Sequence, residues 1–338
     1  MNIHVRDLKP EEMKYALGTL MYCPGDNAKI ADKLIANKLP DLNVLVLCLE
    51  DAILLQNLDH ATDVLEETLI KLQKAVRENK NLKLPLLFIR IRNPNHLETS
   101  LKRFAKYREI LNGFVMPKYD HTVSEQYKKI INSMPYNKFK FMPIMESPVL
   151  IEAPNRKKEL IKIRDDLLTT RGIMGVLLGG NDLCNYFGIR RSSRQTVYDI
   201  GVIRDIISDV VCVLGKHFVI NGAIWEYFDG DNWAEGLRAE AELDKLNGLF
   251  GKSCIHPKQL GVIREAVKVS AVDFEDAEDI MNWNREAGVV KGANSGRMNE
   301  VATHQAWAEK VYTIGRLYGV SGNVNNSASN DLTHLEEI

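Results

Sequence analysis

The chain lacks most of the features that would place it in a membrane, on nucleic acid or in an oxidising compartment. No apolar run approaches the length needed to cross a bilayer. The start, Met1-Asn2-Ile3-His4-Val5-Arg6-Asp7, has no apolar stretch behind a basic head, which argues against a secretory leader. Net charge is nearly absent: 44 Lys and Arg against 45 Asp and Glu leave −1. The two signs are interspersed, so neither nucleic acid nor an anionic lipid surface is indicated as a partner. Cysteine is sparse, at five in 338 residues, and none forms a CxxC pair. Cys23, Cys48, Cys184, Cys212 and Cys254 read as small hydrophobes, four of them in or at the ends of apolar runs, in a reducing cytoplasm. A GxGxxG turn after the first apolar run is also missing, which disfavours a dinucleotide-binding open sheet.

What the chain does have is repetition. Hydrophobic residues make up 45% of it, enough for a large core. Eight strand-like runs appear: Leu17–Cys23, Asn43–Leu49, Leu84–Ile91, Gly113–Pro117, Phe139–Met145, Gly172–Leu178, His217–Asn221 and Gly248–Ile255. Their starts are 26 to 45 residues apart, and each gap holds a stretch of helical periodicity. In Ile203–Val213, for example, Ile203, Ile206, Ile207, Val210 and Val211 share one face. Repeated strand–helix units with a parallel sheet predict a (β/α)8 TIM barrel, with an open doubly wound sheet as the alternative. Three further helical segments, Pro257–Ser270, Phe274–Glu286 and Glu300–Tyr318, follow the eighth run, more than a barrel needs. The expected organisation is therefore a barrel domain over 1–270, a C-terminal helical arm over 271–320 that serves as a lid or subunit contact, and a disordered polar tail over 321–338. The stretch Lys291–Arg297 is flexible by composition.

The strand ends carry the chemistry. Fully buried parallel strands have little use for charge, because uncompensated charge near a core is costly. Yet the runs end in Glu50-Asp51, Arg90-Ile91-Arg92, Pro117-Lys118, Glu146, Asp182, Asn221 and His256. The fifth and sixth runs each end in an acid, and both acids belong on the carboxyl-end rim where α/β barrels place their sites. Two carboxylates beside open positions suit Mg²⁺, so Glu146 and Asp182 are the candidate metal ligands, with rim salt bridges as the alternative.

Taken together, Pro24-Gly25, Leu49-Glu50-Asp51-Ala52, Ile89-Arg90-Ile91, Met116-Pro117-Lys118, Met145-Glu146-Ser147, Leu178-Gly179-Gly180-Asn181-Asp182-Leu183 and Gly251-Lys252-Ser253-Cys254-Ile255-His256-Pro257 resemble the HpcH/HpaI aldolase and citrate lyase β-subunit family, in its branch of C–C bond lyases of the TIM-barrel fold. The resemblance runs from about Leu17 to about Tyr318. It implies a Mg²⁺-dependent homo-oligomer, a trimer or hexamer, that cleaves or forms carbon–carbon bonds next to a carbonyl in a 3-hydroxy acid or its CoA thioester. Four positions in three motifs depart from the pattern. Gly18 and Thr19 stand where the family has Arg-Ser, Cys48 where it has Asp, and Arg92 where it has Asn.

Arg90 would bind a substrate carboxylate or carbonyl through its rigid fork, or bridge to Glu50 and Asp51. Arg92, two residues on along the strand, faces the same way. Glu50 would orient Arg90 or hold a metal-bound water, and Asp51 either joins the site or caps the next helix. Lys118 is read as a substrate contact or a snorkelling lysine, and His256 as a general base or a packed rim histidine. Asn221, with Trp225 and Glu226, is read as pocket lining. In related proteins an acid in the C-terminal arm acts as a proton donor, which makes Glu300 a candidate, with a solvated helix-start acid as the alternative. Arg190, Arg191 and Arg194 read as a solvated basic turn or as a phosphate site. The function indicated is C–C lyase chemistry on a small oxo or hydroxy acid. The alternatives are a non-catalytic metabolite-binding barrel in a larger assembly, or an enzyme acting on a phosphorylated sugar.

Overall fold

The computed structural model describes residues 3–134, 138–283, 288–292 and 297–322. They fall into two compact units, one over Ile3–Val267 and one beginning at Lys268.

The first unit is a barrel. Its strands are β1 (Thr19–Pro24), β2 (Val44–Cys48), β3 (Leu86–Arg90), β4 (Leu111–Met116), β5 (Lys140–Met145), β6 (Val176–Leu178), β7 (Ile220–Asn221) and β8 (Lys252–Cys254). They form one eight-stranded sheet in the order β7-β6-β5-β4-β3-β2-β1-β8, and the paired strands run parallel. Each of the eight apolar runs overlaps one of these strands, with β1 ending one residue later and β4 starting two residues earlier than the runs. β2 and β3 are buried at every position, as expected for a parallel sheet covered on both faces. The helices between them are α1 (Ile30–Ile35), α2 (Leu58–Glu78), α3 (Pro94–Phe104), α4 (His121–Ser133), α5 (Ala153–Thr169), α6 (Gly180–Tyr186), α7 (Gly201–Leu214), α8 (Trp233–Leu246) and α9 (Lys258–Val267). α2 buries Ala61, Leu65, Leu69 and Leu72, a spacing of three and four residues that makes one apolar stripe. α3 and α4 begin where Asn93 and Asp120 accept backbone N–H bonds from His96 and Thr122.

Closure is made at β7 and β8, the weakest part of the ladder. β7 has two residues and β8 three. Phe250 N–H donates to Ile220 O at 2.8 Å, Gly222 N–H to Gly251 O at 3.1 Å and Ser253 N–H to Gly222 O at 3.3 Å. Gly251, at φ +68°, sits so close to β1 that a Cβ would come within 2.3 Å of Leu17 O. Asn221 stitches the seam with its side chain. Its Nδ2 donates to Leu17 O at 2.7 Å and to Phe250 O at 3.2 Å, and its Oδ1 accepts from Ser253 Oγ at 2.7 Å.

Outside β8 lies a buried ion network. Lys252 Nζ is 2.8 Å from Glu240 Oε1 and 2.7 Å from Asp244 Oδ2, with Lys252 fully buried. Arg191 is 2% exposed, and its Nε lies 3.1 Å from Glu240 Oε2. Tyr198 donates to Asp244 at 2.8 Å, and Val197 N–H donates to Glu240 at 2.7 Å. Arg191 therefore belongs to the packing of α8, not to a solvated turn, while its neighbours Arg190 and Arg194 are exposed.

The second unit holds β9 (Val269–Ser270), α10 (Ala271–Met281), β10 (Val289–Lys291), β11 (Met298–Glu300), α11 (Val301–Tyr318) and β12 (Val320–Ser321). β10 and β11 form an antiparallel pair, and β12 runs parallel to β9. This hairpin falls partly in the stretch expected to be flexible, whose residues 293–296 lie outside the described ones; 323–338 of the expected disordered tail do as well. Four of the five cysteines are buried and Cys212 is exposed, all free. No helix among the described residues is long and apolar enough to cross a membrane.

Lys252→Met should lower stability by about 3–5 kcal/mol, because it leaves Glu240 and Asp244 buried with one cation fewer. Urea unfolding checks this, and a loss under 1 kcal/mol would show that the network carries little of the fold.

Candidate active site

The carboxyl ends of β2 to β6 place five ionisable groups around one arginine. β2 runs into Glu50 and Asp51, β3 ends on Arg90, β4 is followed by Lys118, and β5 by Glu146. β6 leads through Gly179 into α6, whose first turn carries Asp182. The register pairs Cys48 with Arg90 and Met145 with Leu178, so these ends lie on one rim.

Arg90 Nη2 lies 2.7 Å from Glu50 Oε2, 3.0 Å from Asp51 Oδ2 and 3.1 Å from Glu146 Oε1. The side chains of Arg90 and Glu50 are 8% exposed and that of Glu146 3%, so water screens these charges little. Lys118 grips two of the same acids in different ways. Its Nζ is 3.0 Å from Glu50 Oε1, and its backbone N–H donates to Glu146 Oε1 at 3.1 Å. That double grip comes with φ of +48° at Lys118. Among the described residues, the other non-glycine ones with positive φ are Asn37 and Asn232, a residue type that enters this region readily. A lysine held there is backbone strain kept at a site. Gly179 makes room on the other side: a Cβ would lie 2.3 Å from Glu146 Oε2. The loop after β4 is tied to the end of β5 once more, because Ser147 donates to Asp120, the cap of α4.

The sequence matches, over residues 11–320, the family described as C–C bond lyase of the TIM-barrel fold. The chain belongs to that family. Its fold is shared with solved structures at low identity. CitE of Mycobacterium tuberculosis, in complex with magnesium, acetoacetate and coenzyme A, superposes with a TM-score of 0.56 at 21% identity, covering 88% of this chain and 97% of that one. RipC of Yersinia pestis gives 0.54 at 16%, covering 76% and 98%. The citrate lyase β subunit of M. tuberculosis, complexed with oxaloacetate and magnesium, gives 0.50 at 19%, covering 75% and 98%. No match is found among curated proteins. The protein is thus a carbon–carbon lyase by family and a citrate lyase β-subunit-like barrel by fold.

The electrostatics of this C–C bond lyase follow from crowding acids under poor solvation. Burial pushes the Glu146 carboxyl up to about 7; Arg90 pulls it down and Asp182 adds to the rise. Burial raises Glu50 as well, against the pull of Arg90. Burial acts upward on Asp51 too, but its hydrogen bond with Glu50 and the charges of Arg90 and Lys118 hold it below the usual range. The Asp182 side chain makes no hydrogen bond or ion pair with any described residue. Glu50, Asp51, Glu146 and Asp182 thus face two cations, Arg90 and Lys118. The uncompensated charge, the oxygen-only donors and the unpartnered Asp182 fit a hard divalent cation such as Mg²⁺. No set of three His, Cys, Asp or Glu able to hold a metal occurs among the described residues, so an ion held by Glu146 and Asp182 would keep open positions.

The remaining candidates lie elsewhere. Arg92 Nη2 donates to Glu50 O at 3.1 Å and to Ile53 O, pinning the loop that carries Glu50. Asn221 is fully buried in the barrel seam with both ends of its amide engaged. His256 stacks on Phe228 with centroids 4.4 Å apart, and its Nδ1 accepts from Lys258 N–H at 3.2 Å. Glu300 is the residue before α11 in the second unit, where its backbone N–H donates to His304 Nδ1 at 3.1 Å. Trp225 is buried under Arg191, 5.1 Å from the guanidinium, and Glu226 pairs with Arg190 at 3.2 Å. Tyr22 escapes the sequence reading: its ring lies 5.8 Å from the Arg90 guanidinium. The signal was a lone phenol within an otherwise apolar first run.

With no divalent cation bound, Glu146 holds its proton to about pH 7 in the folded chain but only to its ordinary 4.5 when unfolded. Its contribution is therefore complete below 4.5 and is lost as pH rises through 7, by up to about 3 kcal/mol. The melting temperature measured in chelator should fall between pH 5 and 8 in the wild type and stay flatter in Glu146→Gln. Equal slopes in the two proteins would refute this.

Proposed function

We propose that the protein is a Mg²⁺-dependent lyase that cleaves, or in reverse forms, the carbon–carbon bond beside the carbonyl of a 3-hydroxy acid or its CoA thioester. The observation that carries this reading is the excess of carboxylates where β2, β5 and β6 end, with Glu146 buried and Asp182 half-buried and unpaired. The magnesium, oxaloacetate, acetoacetate and coenzyme A bound by similarly folded proteins support it.

Glu146 and Asp182 would hold the ion, which when bound supplies Lewis-acid polarisation of a carbonyl. Arg90, locked by three acids, keeps its positive charge fixed beside the oxygen on which negative charge develops as the bond breaks. Being held in place beforehand, it needs no reorganisation during the reaction. Glu50, whose carboxyl burial raises above its ordinary range, is placed to accept the hydroxyl proton. Lys118 Nζ, 3.0 Å from Glu50 Oε1, steadies the resulting charge distribution. Arg92 acts through the backbone by fixing the Glu50 loop. His256, Asn221 and Glu300 carry no step in this reading. A cytoplasmic homo-oligomer is the setting it assumes.

Purified protein should cleave such an acid or thioester with Mg²⁺ and not in chelator. Glu146→Gln and Asp182→Asn should each lose roughly two orders of magnitude or more in rate while melting as cooperatively as the wild type, the scale of losing several kcal/mol of charge stabilisation. If no oxo acid or thioester raises the melting temperature in the presence of Mg²⁺, the assignment fails.

A further inference from the structure

Tyr22 carries a hydroxyl at the barrel mouth that no described residue uses. It lies on β1, beside β2, with Val46 as its register partner. Its ring faces the Arg90 guanidinium at 5.8 Å, within reach of a cation–π contact. Its electrostatic neighbours are Arg90, Glu146, Cys48 and Glu50, which sets the phenol among the groups of the candidate site. Burial holds that phenol above its ordinary range, so it stays protonated at any working pH.

A tyrosine hydroxyl inside a fold normally finds a partner. The Tyr22 hydroxyl makes no hydrogen bond with a described residue, and it is not among the buried atoms sealed without one. Tyr22 itself keeps part of its surface open. The contrast with Arg90 is informative. Arg90 Nη2 is shared by Glu50, Asp51 and Glu146, so the nearest fixed cation has little left to offer a ligand through that nitrogen. The Tyr22 hydroxyl is an uncommitted donor beside it, whereas the unbonded Arg90 Nε is sealed from solvent.

We infer that Tyr22 is a substrate-contacting residue of this site, its hydroxyl donating a hydrogen bond to a carbonyl or carboxylate oxygen of the bound substrate. The inference rests on the lyase reading and deepens it. Arg90 steadies the ring from the side, and the hydroxyl reads the ligand. A phenylalanine would fill the same space, keep the contact with Arg90 and lose only the donor.

The test compares wild type, Tyr22→Phe and Tyr22→Leu by titration calorimetry with pyruvate and with oxaloacetate in the presence of Mg²⁺. Mg²⁺ alone and the melting temperature of the ligand-free protein serve as controls. Tyr22→Phe should bind the acids roughly tenfold more weakly, the size of one hydrogen bond, with Mg²⁺ affinity and melting temperature unchanged. Tyr22→Leu should lose at least as much. Acid binding by Tyr22→Phe at the wild-type level overturns the inference and leaves the lyase reading standing; if Tyr22→Leu alone is weakened, the ring and not the hydroxyl matters. Failure of the wild type to bind either acid with Mg²⁺ overturns both.

Discussion

The constraint on which the candidate site depends is a surplus of carboxylates in a place where water cannot dilute them. Glu50 and Glu146 are almost sealed, and both lean on a single guanidinium that is itself sealed. Removing charges from water is expensive, and an ion pair repays that only when its geometry is fixed. Much of the nearby structure supplies that fixing: Lys118 accepts an unfavourable backbone conformation, Gly179 gives up a side chain, Ser147 and Asp120 tie two loops together, and Arg92 clamps a third. Even so the acids outnumber the cations, and burial, with Asp182 adding to it, raises the carboxyl of Glu146 to about 7.

The barrel was legible because its causes are local and repeated. A fully buried parallel strand has to be an apolar run, and a crossover helix has to show an apolar stripe, so Val44–Cys48 and Leu58–Glu78 announce themselves. Strand lengths were less legible. The runs at 172–178 and 217–221 shrink to β6 and β7 because pairing there is interrupted: Val176 N–H bonds to Val219 O outside the regular ladder, and Gly175 admits the Leu17 side chain, which a Cβ would meet at 2.5 Å. The β10–β11 hairpin was hidden behind a composition that reads as loop.

In the site, the positions of Glu50, Arg90, Lys118, Glu146 and Asp182 could be read from their place behind apolar runs. Their partnerships could not. Whether Lys118 snorkels or grips depends on its backbone dihedral, which no motif encodes. Asn221 and Arg191 mark the same limit from the other side. Asn221 ends β7 and Arg191 lies beyond α6, yet packing against Leu17 and Ser253, or under α8 against Glu240, turns each into framework. Tyr22 was invisible because a tyrosine in an apolar run looks like core until a neighbour such as Arg90 is known.

The seam between β7 and β8 has a mechanical meaning. From β1 to β5 neighbouring strands share four or five paired positions, while β7 and β8 are joined through irregular backbone bonds and one asparagine side chain. If the barrel breathes, its hinge line runs there, on the side away from the arc of β2 to β5 that carries Glu50, Arg90 and Glu146. The molecule can loosen along that line without dispersing its acids, so fluctuation and chemistry are assigned to different sectors of one wall.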